Sequence, residues 1–228
     1  MFFHHDVSGP VELWFIDRSL DLGRRRDLAL ERSLADTVGI DTIATMHQVH
    51  GCDVAWVSHE AGHPVADAML TDARSVGLLV RVADCVPIVL AAPDDGVVGV
   101  VHCGRQGLMD GVVPAAVESL QVRRADHEAG RLQAWVGPRV CGRCYELPAK
   151  LADDVAAVVP EARSTTSWGT PAADIGAGAI AQLVARDVDV HDVGAEVCTI
   201  EDERFFSHRR DGAETGRFGA VVVLRDVS

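Results

Sequence analysis

The sequence predicts an α/β protein in which a mixed sheet is packed with helices, and three observations carry this. Short apolar, β-branched runs such as Val86 to Ala92 and Val97 to Cys103 have the length of buried strands. Longer segments such as Arg24 to Val38 place Leu30, Leu34 and Val38 at helical spacing. Strand-turn-strand pairs are interspersed irregularly among those helices, which argues against a regular βαβ array.

In chain order, Val11 to Ile16 reads as the first strand, and Gly39 stops the helix that starts near Arg24. Thr42 to Val57 is rich in β-branched residues and reads as strand, with a turn or bulge at Gly51-Cys52-Asp53. Gly77 to Val82 and Val86 to Ala92 are strands separated by Ala83-Asp84-Cys85, and Pro93-Asp94-Asp95-Gly96 turns the chain into Val97 to Cys103. Gly107 to Leu120 is a helix, Leu132 to Val136 a strand ended by Gly137-Pro138, and Leu147 to Val159 a helix. Ala172 to Arg186 is a helix with Pro171 suited to its first turn, and Ala195 to Ile200 and Phe218 to Leu224 are late strands. No repeat or low-complexity tract divides the 228 residues, so a single domain is expected. The loop from Arg163 to Gly169 is the best candidate boundary.

Composition narrows the function classes. Lys and Arg number 21 against 34 Asp and Glu, a formal net charge of −13. A nucleic-acid binder carries a basic surplus or stripe, and neither is visible. The acidic balance also disfavours anionic membranes, and the most apolar stretch, Val76 to Ala92, is too short to span a bilayer and is cut by Arg81 and Asp84. The first residues show no basic region followed by an apolar run, so a cytoplasmic, reducing location is expected. The six cysteines are then thiols or ligands rather than a disulfide framework.

Three segments concentrate chemistry: Met46-His47-Gln48-Val49-His50-Gly51, Val82-Ala83-Asp84-Cys85-Val86-Pro87 and Val100-Val101-His102-Cys103-Gly104. Each sets a His or Cys at the end of an apolar run beside Gly or Pro, where a side chain is held firmly yet stays reachable. If His50, Cys85 and His102 converge, two imidazoles and a thiolate leave one position of a tetrahedral zinc open, the pattern of a catalytic site. The competing reading takes Cys85 as a small buried hydrophobe and the histidines as hydrogen-bonded core residues. On a strand Gln48 would share a face with His50, and it reads either as a substrate or ligand-orienting contact or as a plain amide. Asp84 reads as an acceptor for an imidazole N–H or as a turn residue. Cys141-Gly142-Arg143-Cys144 lacks the second CxxC of a zinc ribbon and is read as structural.

Taken together, Gln48-Val49-His50-Gly51, Ala83-Asp84-Cys85-Val86-Pro87, His102-Cys103-Gly104, Val136-Gly137-Pro138 with Cys144-Tyr145-Glu146, and Phe205 to Asp211 with Thr215-Gly216-Arg217 resemble the motifs of the YfiH family. It is also called the laccase-domain or peptidoglycan-editing-factor family. The resemblance runs from about Val11 to Leu224. It implies a layered α/β/β/α fold with mixed β-sheets, and zinc held by His50, Cys85 and His102. It also implies phosphorolysis of adenosine, inosine, guanosine or methylthioadenosine and deamination of adenosine, with nucleoside and phosphate as the partners. Hydrolytic editing of cell-wall precursors, through a metal-activated water or a Cys85–His102 pair, is the alternative. The polyphenol-oxidase description ranks lower, because none of the ten histidines forms a His-X-His pair and one His₂Cys set holds one ion. Copper can still replace zinc in vitro.

The likeness departs at two places. Members usually read HAGWRG where this chain has His102-Cys103-Gly104-Arg105-Gln106-Gly107, so the cation stands one position early, at Arg105. Members also follow an Arg with a Gly-Gly-x-Ser loop. Here Arg18 matches the Arg, and Ser19-Leu20-Asp21-Leu22-Gly23 follows directly. Arg18, Arg105 and Arg209 are the candidate anion-binding residues, with Arg210 and Arg217 completing a basic spot near Arg209. A divergent member with little activity is the reading these departures support.

Overall fold

Strands that are apolar on both faces need cover on both sides. The chain provides it by stacking two sheets and placing helices outside each. A computed structural model describes residues 1–58, 62–123 and 130–226. In order, the elements are β1 (Phe2–Ser8), β2 (Val11–Ile16), α1 (Leu28–Val38), β3 (Thr42–Ala44), β4 (Val54–Trp56), β5 (Ala68–Thr71), β6 (Val76–Val82), β7 (Val86–Ala92) and β8 (Val97–Cys103). There follow α2 (Arg105–Asp110), α3 (Val112–Arg123), β9 (Gln133–Val136), α4 (Ala149–Val158), β10 (Arg163–Thr165), β11 (Pro171–Ala173), α5 (Ile175–Val184), β12 (Asp189–Asp192), α6 (His208–Asp211) and β13 (Phe218–Leu224).

One sheet has the order β1-β2-β13-β6-β3 and the other β12-β9-β7-β8-β5-β4, while β10 and β11 form a separate hairpin. Both large sheets are mixed: β3 runs parallel to β6 and β12 parallel to β9, amid antiparallel neighbours. The period of two along each strand sorts side chains into layers. Leu78, Val80, Val89, Ala91, Val98, Val100, Ala220 and Val222 fill the space between the sheets. Leu79, Val221 and Val223 face the other way, onto Leu34, Ala35 and Val38 of α1. Ile88, Leu90, Val101 and Cys103 face α3, α4 and α5 through Val113, Val117, Val155 and Leu183. The result is a helix, sheet, sheet, helix stack.

Four sequence expectations need correction. Thr42 to Val57 is not one strand. Only its two ends are, and residues 45–53 form a loop whose N–H groups at Val49, His50 and Gly51 all donate to the Asp67 carboxylate. Gln48 and His50 therefore share no strand face. The helix expected from Gly107 to Leu120 breaks at Gly111, whose φ of 84° requires glycine, giving α2 and α3. Pro171 lies in β11 rather than in a helix, and α5 begins at Ile175 because the Asp174 carboxylate caps the N–H of Ala177. Ala195 to Ile200 is a run of turns with one bridge, Arg139 to Cys198, since β12 already occupies the sheet edge beside β9. The strands β1, β5 and β12 were not legible. His59 lies outside the described residues.

The five-stranded sheet is tied to α1 by Arg225. It donates to the Glu12 carboxylate at 2.7 Å and to the carbonyls of Val38 and Gly39 at the end of α1. Burial pushes the Glu12 carboxyl up, but hydrogen bonds from Arg225 and His5 outweigh it and hold the group below its usual 4.5. A carboxylate with a depressed folded value contributes stability above its unfolded value and loses it as pH falls through the folded one. Arg225→Gln is therefore expected to lower the thermal midpoint at neutral pH, with a difference from wild type that shrinks below about pH 4. Thermal melts over a pH series check this. A constant difference down to low pH would remove the Glu12 pair as its cause.

Candidate functional site

The ligand-type residues come from three different connections at one end of the sheet stack. His50 sits in the loop from β3 to β4, Cys85 in the turn from β6 to β7, and His102 near the end of β8. The structure brings them together. His50 Nε2 lies 3.9 Å from Cys85 Sγ, and the rings of His50 and His102 meet edge to face with centroids 4.7 Å apart. One ligand atom from each lies within 4.8 Å of the others. His102 is buried, Cys85 half-buried and His50 exposed, so the corner opens outward.

Strained backbone marks the same place. His50 and Asp84 have φ of 62° and 83°, two of the three non-glycine residues with positive φ among those described. Each is held by hydrogen bonds that outweigh the strain. Asp84 accepts from the Thr199 hydroxyl at 2.6 Å and the Arg209 N–H at 2.7 Å, so it fixes the turn rather than an imidazole. The imidazole acceptor is Asp67, which the sequence reading missed. Fully buried just before β5, it takes a 2.7 Å hydrogen bond from His102 Nδ1 besides the three from the His50 loop. This leaves His102 Nε2 for the pocket and aims the ring. Gly104 completes the corner: a Cβ there would stand 2.8 Å from His50 Cδ2 and 3.2 Å from Cys85 Sγ.

Charge is coupled across the corner. Burial pushes the Cys85 thiol up, but His102, aided by hydrogen bonds from both histidines, outweighs it and holds the thiol at about 6. Burial pulls His102 down, while the Cys85 thiolate and Asp67 raise it to about 9. Burial also pushes Asp67 up, but its hydrogen bonds from His102 and the loop N–H groups keep it below the usual carboxylate range.

The corner forms part of the wall of a cavity of about 560 Å³ also lined by Arg24, Arg81, Arg105, Arg209, Arg217 and Tyr145. Five guanidiniums around one cavity stand out in a chain of net charge −13. Arg81, Arg209 and Arg217 hydrogen-bond to backbone carbonyls at Arg25, Glu146 and Thr215. Burial and then the nearby Arg24 charge lower Arg217, and burial with the Arg217 charge lowers Arg81, against the pull of Glu31. Such a set favours an anion. Of the residues expected here, Arg105 and Arg209 line the cavity. Gln48 lines it too, but its amide bonds both the N–H and the carbonyl of Arg81, continuing the β6 edge where β3 has ended. Arg18 lies outside it, stacked on Phe206 and bonded to the Glu203 carbonyl. Arg210 is also spent on structure, donating to the carbonyls of Thr199 and Phe205. Arg81 was legible only as a charge interrupting an apolar run.

Two stacked mixed sheets between helix layers, with a three-ligand corner at one end, define a layered α/β protein with a candidate metal centre. Residues 25–225 match the model of the family described as multi-copper polyphenol oxidoreductase laccase, and the chain belongs to that family. It is 46% identical over 196 residues, 83% of this chain and 79% of the relative, to a purine nucleoside phosphorylase of Streptomyces coelicolor. It is 39% identical over 194 residues, 83% of this chain and 76% of the relative, to a purine nucleoside phosphorylase of Mycobacterium tuberculosis. Among solved structures, YlmD from Geobacillus stearothermophilus superposes with a TM-score of 0.79 at 25% identity, covering 99% of both chains. Protein NMB0706 of Neisseria meningitidis gives 0.82 at 24% identity, also over 99% of both, and supports the fold. No described helix is long and apolar enough to cross a membrane.

Proposed function

We propose that this chain is a metal-dependent purine nucleoside phosphorylase that also deaminates adenosine. The observation that carries the reading is the juxtaposition of an arginine-lined cavity with the His50–Cys85–His102 corner. Phosphorolysis brings a phosphate oxygen to C1′ of the ribose as the C1′–N9 bond breaks, with the electron pair leaving on the purine. Arg81, Arg105, Arg209 and Arg217 hold the phosphate and keep its negative charge beside C1′. Tyr145, with Arg209 stacked at 4.9 Å from its ring centre, gives the nucleoside a flat wall. His50, Cys85 and His102 would hold zinc: two imidazoles and one thiolate are the donor set of an open, catalytic site, and Asp67 supplies the carboxylate partner such histidines take. Bound there, the ion supplies Lewis-acid polarisation of an oxygen or nitrogen. The donor set also accepts copper in vitro. One three-ligand corner serves one ion, which ranks multi-copper oxidation below this reading.

Metal-loaded protein incubated with adenosine and phosphate is expected to yield adenine and ribose 1-phosphate, with inosine from deamination. Metal-bound protein that gives none of these removes the reading. Arg217→Ala is expected to raise KM for phosphate by about ten-fold or more, the loss of one charged hydrogen bond, with little change for deamination. Equal losses in both reactions would count against a phosphate role.

A second reading rests on the Cys85 thiol held at about 6 beside His102 at about 9, the charge pattern of a cysteine nucleophile with its base. In that case the chain is a hydrolase of an amide such as those in cell-wall precursors. A covalent adduct on Cys85 during turnover supports it, and active protein that carries a metal ion lost on Cys85→Ala removes it.

A further inference from the structure

A second group of soft ligands gathers outside the pocket, and the function above makes no use of it. Cys141 and Cys144 bracket a tight turn in which the N–H groups of Cys144 and Tyr145 both donate to the Cys141 carbonyl, at 3.1 and 3.0 Å. The turns after β12 bring Cys198 against it. The Cys141 N–H points at Cys198 Sγ at 3.5 Å, and the two segments bridge at Arg139 and Cys198. Three sulfurs and a carboxylate oxygen of Glu201 all lie within 4.8 Å of one another. Cys144 and Cys198 are buried, Cys141 is half-buried and Glu201 is at the rim, with Val140 and Ile200 as the apolar surround.

Two buried thiols and a half-buried one are tolerable as small hydrophobes, but hydrophobes do not require that their sulfurs converge with a carboxylate. A turn that folds back on the first cysteine of a CxxC, an N–H aimed at a sulfur and an oxygen donor closing the fourth side match a four-coordinate, closed site. Sequence spacing hid this, because the third sulfur comes from a distant turn rather than a second CxxC.

We propose that Cys141, Cys144, Cys198 and Glu201 form a second metal centre, structural rather than catalytic, that takes one divalent cation of the zinc type. Its position gives it a task. The Cys141 turn leads directly to Tyr145, and the segment after Cys198 leads to Arg209, the pair stacked on the pocket wall. Thr199, next to Cys198, holds Asp84 in the turn before Cys85. An ion here staples these segments and keeps the pocket wall in register with the His₂Cys corner.

The proposal is independent of the reaction in the pocket, and the test separates them. Full-length protein is purified under reducing conditions without added metal, as wild type, Cys85→Ala and Cys198→Ser, and zinc is measured. The expected result is about two equivalents in wild type and about one in each variant. Cobalt substitution adds a readout that does not depend on activity: the intense thiolate-to-cobalt absorption of a three-sulfur site persists in Cys85→Ala. Should Cys198→Ser fail to fold, thiol titration of native Cys85→Ala serves instead, with Cys141, Cys144 and Cys198 protected until a chelator is added. Cys85→Ala protein that binds neither zinc nor cobalt overturns the second centre. So does a disulfide between any two of the three cysteines, seen by mass spectrometry of the non-reduced protein.

Discussion

Cys85→Ala is expected to empty the pocket corner of metal and to lower phosphorolysis by about a thousand-fold or more, the largest effect of any single change to the site. Cys85 is the one anionic donor of the three, so its removal leaves two neutral imidazoles facing a cation across a cavity lined with arginines. Cys85→Ser tests the same point with almost no change in volume and is expected to fail similarly, because a hydroxyl is a poor substitute for a thiolate. Cys103→Ala is the control. That thiol faces the helix layer, and burial raises it far above neutral pH, so the substitution leaves the pocket metal in place. Metal analysis and turnover on the same samples decide the matter. Wild-type turnover by Cys85→Ala whose pocket corner holds no metal would end the metal-dependent reading.

Asp67→Asn is expected to weaken metal binding by about 10- to 100-fold and to destabilise the metal-free fold by about 1–3 kcal/mol. The carboxylate accepts from His102 Nδ1 and from the N–H groups of Val49, His50 and Gly51. An amide turns one acceptor oxygen into a donor. If that NH₂ faces Val49 and Gly51, two loop N–H groups lose their partner; if it faces His50 and His102, the His50 N–H and the imidazole lose their acceptor. Chelator competition reads the first effect, and denaturant melts of metal-free protein read the second. Unchanged chelator competition would show that Asp67 serves the loop alone.

What could be read in advance followed from local pattern. Strands β2, β7, β8 and β13 carry mostly apolar runs, with Glu12 in β2 and His102 near the end of β8 as the polar exceptions, and their expected and observed limits coincide. Cys85 and His102 were legible as residues at strand ends, and all three ligand-type residues through resemblance, whereas His50 lies in a loop rather than at the end of a strand. What escaped depends on pairing between distant segments. Asp67 is a lone acid before a four-residue strand, and nothing in its neighbours shows that it will cap a loop 16–18 positions earlier. The Thr42 to Val57 segment has the composition of a strand, yet the backbone donors of its middle go to that acid instead of a ladder. The β1 and β12 strands are short of apolar residues because each lies at a sheet edge, with one side free of the ladder.

Two of the three corner residues stand where the chain passes from one sheet to the other: His50 between β3 and β4, Cys85 between β6 and β7. An ion shared by them is a rivet through the hinge of a closed book. While it stays, parting the covers would also break its bonds to His50 and Cys85. Heating should therefore release metal and open the interior in a single concerted event, which makes the colour of a cobalt-filled corner a running gauge of whether the two halves remain closed.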